Sequence, residues 1–180
     1  ISVHCHNDLG LSVSNSLAAI LSGARQVECT INGLGERAGN ADLLAVILTL
    51  KKAKGLARKH TFGMPIHLNM AWKICNYASY AFKVPIAINH PGVGANAFAH
   101  ASGIHADGVL KDPQNYELYD FKELGRGDPE MVETGREICS GEYSGISGFR
   151  HIMGKLEVDL SNRTDAENIL ELVRFANVEA

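Results

Sequence analysis

Ile1-Ser2-Val3-His4-Cys5-His6-Asn7-Asp8 opens the chain. Its β-branched start reads as a strand over residues 1–6 that ends in His-x-His-x-Asp. Side chains alternate faces along a strand, so His4 and His6 share one face and Cys5 takes the other. Two neutral imidazoles side by side at a strand tip can grip a divalent metal. Parallel α/β folds place their chemistry at the carboxyl ends of strands, which is where this pair stands. The plainer alternative is a pair of polar residues at a strand exit, and the neighbouring sequence decides between the two.

Outward from that tip, apolar spacing predicts a helix over residues 11–24, with Leu17, Ala18, Ile20, Leu21 and Ala24 on one side and Gly23 near its end. Residues 26–31 (QVECTI) read as a second strand. A Gly-rich loop follows, Asn32-Gly33-Leu34-Gly35-Glu36-Arg37-Ala38-Gly39. Residues 40–54 read as a second helix. Asn40 suits its N-cap, and Asp42 suits the positive first turn. Leu43, Leu44, Val46, Ile47 and Leu50 form the expected buried stripe. Lys51, Lys52 and Lys54 favour the negative end, and Gly55 stops it. A β-α-β-α run with short connections builds a parallel sheet with right-handed crossovers. The loop holding His4, His6 and Asp8 and the Gly-rich loop then open on one face. A barrel edge and an open doubly wound sheet both satisfy this pattern. A strand as apolar as the first needs neighbours on both sides, so at least one is expected upstream and the chain is expected to begin inside a domain.

After Gly55 the pattern changes, with a boundary near residue 60. Residues 56–68 are basic and then hold Gly63 and Pro65, as a connector would. Helices are expected over residues 69–82, over part of 94–111, and over 144–156 and 164–177; Asp112-Pro113 ends the second. Thr164-Asp165-Ala166-Glu167 has the form of a capping box. The charged stretch at 122–137 reads as a solvated face.

Across 180 residues, 46% are hydrophobic and 21% charged, enough to bury a core. The net charge of −3 points to neither a nucleic-acid nor a membrane surface. No apolar run approaches the ~20 residues of a membrane span. Cys5, Cys29, Cys75 and Cys139 are dispersed without a CxxC, as in a reduced, cytoplasmic protein. The Gly-rich loop is not a dinucleotide fingerprint: its last spacing is one residue too long, and no acidic residue follows at the right distance. Its alternatives are a tight turn needing positive φ, or a turn whose Glu36, Arg37 and Asn40 crowd the metal face. The polar content favours the second. His100 and His105 are five apart and do not share a helix face as an i, i+4 pair would.

Three segments, HCHNDLGLSVSNSLAAILSGA, TINGLGERAGNADL and AFAHASGIHADGVLKDPQNYE, together resemble the 2-isopropylmalate synthase, homocitrate synthase and Re-citrate synthase family of TIM-barrel metallo-enzymes. The likeness covers roughly residues 1–160. It implies an α/β fold in which residues 1–60 are the last two β/α units of a TIM (β/α)8 barrel. Residues 61–180 would be a linker and mostly helical C-terminal subdomains. It also implies a Claisen-type condensation of acetyl-CoA with a 2-oxo acid, followed by thioester hydrolysis. On this resemblance His4 and His6 match the metal-binding histidines of the seventh barrel strand, and Asn40 matches the asparagine of the eighth-strand loop. Glu36 and Arg37 fall to the cofactor, acetyl-CoA being the cosubstrate. His105 matches the catalytic histidine of the C-terminal region and Tyr116 its partner tyrosine. The family's metal-binding aspartate and its neighbouring arginine belong to the first barrel strand, upstream of Ile1. The metal would be Mg²⁺, Mn²⁺ or Zn²⁺, which this donor set does not distinguish. A homodimer through the C-terminal region is implied as well.

Two departures refine the reading. Acyl-CoA lyases of the superfamily carry a cysteine in the Gly-rich loop, where this chain has Glu36-Arg37-Ala38, so a synthase is favoured over a lyase cleaving a 3-hydroxyacyl-CoA. Many members have a basic Gly-Lys-His-Ser-Gly segment where this chain has Gly141-Glu142-Tyr143-Ser144-Gly145-Ile146. That loss of charge places homocitrate or citrate formation slightly ahead of isopropylmalate formation. A dimerisation or regulatory module without activity is the non-enzymatic alternative. The 180 residues alone are expected not to turn over.

Overall fold

A computed structural model describes residues 1–57, 59–127, 137–138 and 145–179. The chain is mixed α/β and divides into two compact units. One comprises Ile1–Ala97 and residues 121–127; the other comprises Phe98–Asp120 and the described residues beyond 136.

In the first unit, β1 (Ser2–His4) and β2 (Gln26–Glu28) pair in parallel, with Ser2 opposite Gln26, Val3 opposite Val27 and His4 opposite Glu28. Helix α1 (Ser12–Leu21) makes the crossover. Asn7 starts it: Oδ1 accepts from Ser12 N at 3.2 Å and from Ser12 Oγ at 2.7 Å. The expected β-α-β-α order is present, although both strands are shorter than the periodicity suggested. Past His4 and Glu28 this sheet is extended by two isolated bridges, His6 with Asn40 and Thr30 with Asp42.

Helix α2 spans Leu43–Lys52, and its N-cap is Asp42 rather than Asn40. Asp42 Oδ2 accepts from Ala45 N at 2.8 Å. Asn40 is drawn into a bridge with His6 instead, closed by Asn7 N donating to Gly39 O at 2.9 Å and Ala41 N to Cys5 O at 3.1 Å. The buried stripe shifts accordingly: Leu44, Val46, Ile47 and Leu48 are buried, while Leu43 is exposed. The helix breaks at Ala53, and a short turn, α3 (Lys54–Ala57), runs through Gly55 instead of stopping there. Helix α4 (Ala71–Phe82) follows a 3-10 turn at Leu68–Met70 and ends in left-handed Lys83. Its Cys75 and Ala78 join Val93 and Leu124 in the core.

Arg126 corrects the expectation of a solvated face at 122–137. It is 5% exposed; its Nη1 donates to Gly92 O and Gly94 O at 3.0 Å, and its guanidinium lies 4.7 Å from the centre of the Trp72 ring. Glu123, by contrast, meets Lys52 near the surface. The rest of that stretch, residues 128–136, lies outside the described residues, as do Cys139 and residues 141–144. Arg126→Ala takes the side-chain donor from Gly92 O and Gly94 O; Gly94 O keeps Ala97 N at 3.1 Å, so the cost falls mainly on Gly92 O, a lost buried partner being worth roughly 1–3 kcal/mol. The urea midpoint of the chain should therefore fall clearly, whereas a surface arginine such as Arg163 replaced in the same way should leave it nearly unchanged.

In the second unit, β3 (Ala99–His100) pairs in parallel with β4 (Glu137–Ile138). Helix α5 (Gly103–Lys111) packs on α6 (Ile146–Lys155). The two backbones meet at Gly103 and Gly145, where a Cβ on either would overlap the other residue. Phe149, Leu160, Ala166 and Leu170 form the core beneath, with Ile146, Met153 and Val173 around it. Helix α7 (Arg163–Glu179) closes the unit. Its start corrects the capping-box expectation: Asn162 Oδ1 accepts from Thr164 N at 3.0 Å, and Glu167 turns to Arg163 Nε at 2.7 Å. Among the described residues, no helix is long and apolar enough to cross a membrane.

Candidate active site

The parallel pair β1–β2 sorts its side chains by alternation. Ser2, His4, Gln26 and Glu28 lie on the exposed face, and Val3, Cys5, Val27 and Cys29 on the half-buried one. Ser2 Oγ donates to Glu28 Oε1 at 2.9 Å, and Glu28 Oε2 stands 4.0 Å from His4 Nδ1. On the half-buried face burial pushes the Cys29 thiol up to about 11, and in α4 burial does the same to Cys75, also to about 11.

The Gly-rich loop folds back over the strand tip. Asn32, Gly33, Arg37 and Gly39 all take positive φ, at 56°, 65°, 56° and 89°. Asn7 N donates to Gly39 O at 2.9 Å, which ties the two βα loops together. A Cβ at Gly35 would overlap Asn40 Oδ1, and one at Gly39 would overlap Gly33 O. The loop is thus a tight turn that needs glycine; of its polar residues Asn40 faces His4 and His6, and Arg37 meets Asp8.

Asn40 is the residue that reaches furthest, and it is buried. Its Nδ2 lies 3.1 Å from His4 Nε2 and 3.1 Å from His6 Nδ1. The two rings are edge to face, with centroids 5.1 Å apart. With the amide nitrogen as donor, both ring nitrogens accept, so the two imidazoles face one point. Turning the carboxamide over would present its oxygen to the same point. Two imidazole nitrogens with an oxygen donor suit a divalent cation. Among the described residues, no three His, Cys, Asp or Glu side chains cluster as a metal site.

Arg37 bridges the loops, donating from Nε to Asp8 Oδ1 at 2.7 Å and from Nη2 to Asp8 Oδ2 at 3.1 Å. That hydrogen bond holds the Asp8 carboxyl below the usual carboxylate range. Glu36 projects outward, its side chain 88% exposed.

Sequence reasoning missed His90. Its Nε2 lies 3.5 Å from Asp42 Oδ1, with both side chains nearly buried, and its Nδ1 lies 3.0 Å from Pro91 O. The 3.5 Å approach is an electrostatic contact rather than a formed hydrogen bond, since that Oδ1 has no hydrogen-bond partner. The Asp42 side chain nevertheless raises the His90 pKa, against burial, which lowers it. A raised folded-state value means that the stabilisation is complete below the unfolded value of about 6.5 and fades as pH rises through the folded one. Between about pH 6 and pH 8, urea stability should decline more in the parent than in Asp42→Asn, which keeps the helix cap. Equal slopes would remove His90 from the balance. No spacing rule links positions 42 and 90, so no local signal marked the pair.

In the second unit, His105 occupies the first turn of α5 and Tyr116 follows the turn at Pro113–Asn115. Their rings are 4.4 Å apart at 43°, and both side chains are accessible. The ring of Tyr116 also lies against Gly108, where a Cβ would come 2.5 Å from Cε2. His100, on β3, is 3.1 Å from Glu117 Oε1.

Residues 1–75 match the family described as HMGL-like, and residues 93–179 match the one described as homocitrate synthase post-HMGL domain-like. The chain is 60% identical over 186 aligned positions to the citrate (Re)-synthase of Dehalococcoides mccartyi, covering 100% of this chain and 45% of that protein. The chain belongs to the 2-isopropylmalate, homocitrate and Re-citrate synthase family. It is also similar to the 2-isopropylmalate synthases of Methylococcus capsulatus and Sodalis glossinidius. The first is 44% identical over 170 positions, 94% of this chain and 31% of the relative. The second is 46% identical over 162 positions, 90% of this chain and 29% of the relative. The chain thus spans less than half the length of these synthases. Its HMGL-like segment carries His4, His6, Glu36, Arg37 and Asn40, and its post-HMGL segment carries His105 and Tyr116.

Proposed function

We propose that this chain supplies the cation site and the histidine–tyrosine pair of an acetyl-CoA-dependent 2-oxo acid synthase. Residues 1–60 would be the last two β/α units of a TIM barrel, and 61–180 the linker and helical subdomains through which two copies dimerise in the cytoplasm. The observation that carries the reading is the convergence of His4 Nε2 and His6 Nδ1 on Asn40. The resident cation, Mg²⁺, Mn²⁺ or Zn²⁺, would be held by His4, His6 and Asn40 with a carboxylate from elsewhere, and would polarise the 2-oxo acid carbonyl.

The reaction removes a proton from the acetyl-CoA methyl group and joins that carbon to the ketone carbon of the 2-oxo acid. The ketone oxygen gains a proton, and water then cleaves the thioester to free CoA. His105 is the group suited to receive the methyl proton directly or through a relay, since imidazole titrates near working pH. Tyr116, 4.4 Å away between ring centres, is placed to donate to the developing oxygen. Glu36 and Arg37 form the loop edge offered to the acetyl-CoA side. Arg37 already holds Asp8, so it shapes that edge with its neighbour.

Citrate or homocitrate formation stands ahead of isopropylmalate formation, supported by the altered segment 141–146 and by the similarity to a citrate (Re)-synthase. Lyase action is disfavoured because the Gly-rich loop offers Glu36-Arg37-Ala38 and no thiol. The test is CoA thiol release by the full-length protein with oxaloacetate, 2-oxoglutarate and 2-oxoisovalerate. Release with one of the three is expected. Cleavage of a 3-hydroxyacyl-CoA without any condensation would overturn the reading. The 180 residues by themselves are expected to be inactive in the same assay.

A further inference from the structure

Tyr116 and His105 form an accessible ring pair, with Tyr116 45% exposed. The Tyr116 ring rests on Gly108, and the backbone on either side of it sets where that ring lies along α5. That backbone is anchored on both sides of Tyr116. Asn115 Nδ2 donates to Gly108 O at 3.0 Å, and Asp112 Oδ1 accepts from Gln114 N at 2.9 Å. Tyr119 packs edge to face on Phe98 at 5.8 Å between centroids. Between these lies Glu117, next to Tyr116 in sequence, whose side chain is 4% exposed and meets His100 Nε2 at 3.1 Å; the His100 side chain is 11% exposed. A carboxylate this deeply buried is tolerated only where it is hydrogen-bonded.

We infer that His100 and Glu117 are positioning residues: their buried contact clamps the segment after α5 onto β3 and thereby sets Tyr116 over His105. The inference rests on the reading that His105 and Tyr116 act together, and it extends that reading to two residues outside the ring pair. A pair that merely stabilised the unit would leave the ring alignment unchanged when loosened.

The test uses nuclear Overhauser contacts between the His105 and Tyr116 rings in the full chain. Glu117→Ala should lose these contacts while those between Phe98 and Tyr119 persist. Glu117→Gln retains an acceptor oxygen for His100 and should restore them. Persistence of the contacts in folded Glu117→Ala would overturn the inference, as would their equal loss in Glu117→Gln. Should Glu117→Ala fail to fold, His100→Phe decides: it keeps the ring's bulk without a nitrogen, so loss is expected and retention contradicts. None of these measurements involves acetyl-CoA. An inactive synthase would therefore leave the clamp standing, and a failed clamp would leave the synthase reading standing.

Discussion

His105→Ala in the full-length protein is expected to lower turnover by at least ~10²-fold, the lower range for a group that moves a proton in the transition state. The ring is solvent-accessible in the first turn of α5, so its removal creates no core cavity, and the loss should be chemical rather than structural. Acetyl-CoA KM should change far less than kcat, because a proton-transfer group acts mainly in the transition state. Tyr116→Phe keeps the ring beside His105 and removes only the hydroxyl, so it should have the smaller effect. Steady-state thiol release measures both. Near-normal turnover in His105→Ala would take that residue out of the reaction.

Gly39→Ala is expected to be the most damaging single change in the Gly-rich loop. Two costs coincide there. A φ of +89° strains any L side chain, and a Cβ would overlap Gly33 O, a backbone atom with nowhere to go. Strained backbone of this kind costs on the order of 1–3 kcal/mol before the overlap is counted. Gly10 separates the two effects, for it has a φ of +71° and open space around it. Gly10→Ala should cost about 1–2 kcal/mol from conformation alone. In urea unfolding, Gly39→Ala should lose clearly more than Gly10→Ala. Equal losses would mean that the close approach to Gly33 contributes nothing.

Much of this was legible in the sequence because it is local. Alternation puts His4 and His6 on one face whatever surrounds them, and the glycines at 33, 35 and 39 announce a tight turn. The order β1-α1-β2-α2 follows from apolar period and punctuation in the same way. The errors arose where two local preferences competed and a tertiary contact chose between them. Asn40 and Asp42 both suit a helix N-cap; the bridge to His6 claims Asn40, and the cap falls to Asp42. At α7 the choice is local: Asn162 Oδ1 accepts from Thr164 N two residues on. Arg126 read as a surface charge because nothing nearby in sequence reveals Trp72 or the carbonyls of Gly92 and Gly94. His90 and His100 were opaque for the same reason, since their partners lie 48 and 17 positions away.

The most direct test of a shared cation site at the strand tip is a titration of the full chain with Zn²⁺, followed through the imidazole resonances of all its histidines. His4 and His6 are expected to respond first and together, saturating at one ion per chain, and Asn40→Ala should weaken binding at both. A first response at other histidines, or separate titration of His4 and His6 with different stoichiometries, would contradict a common site.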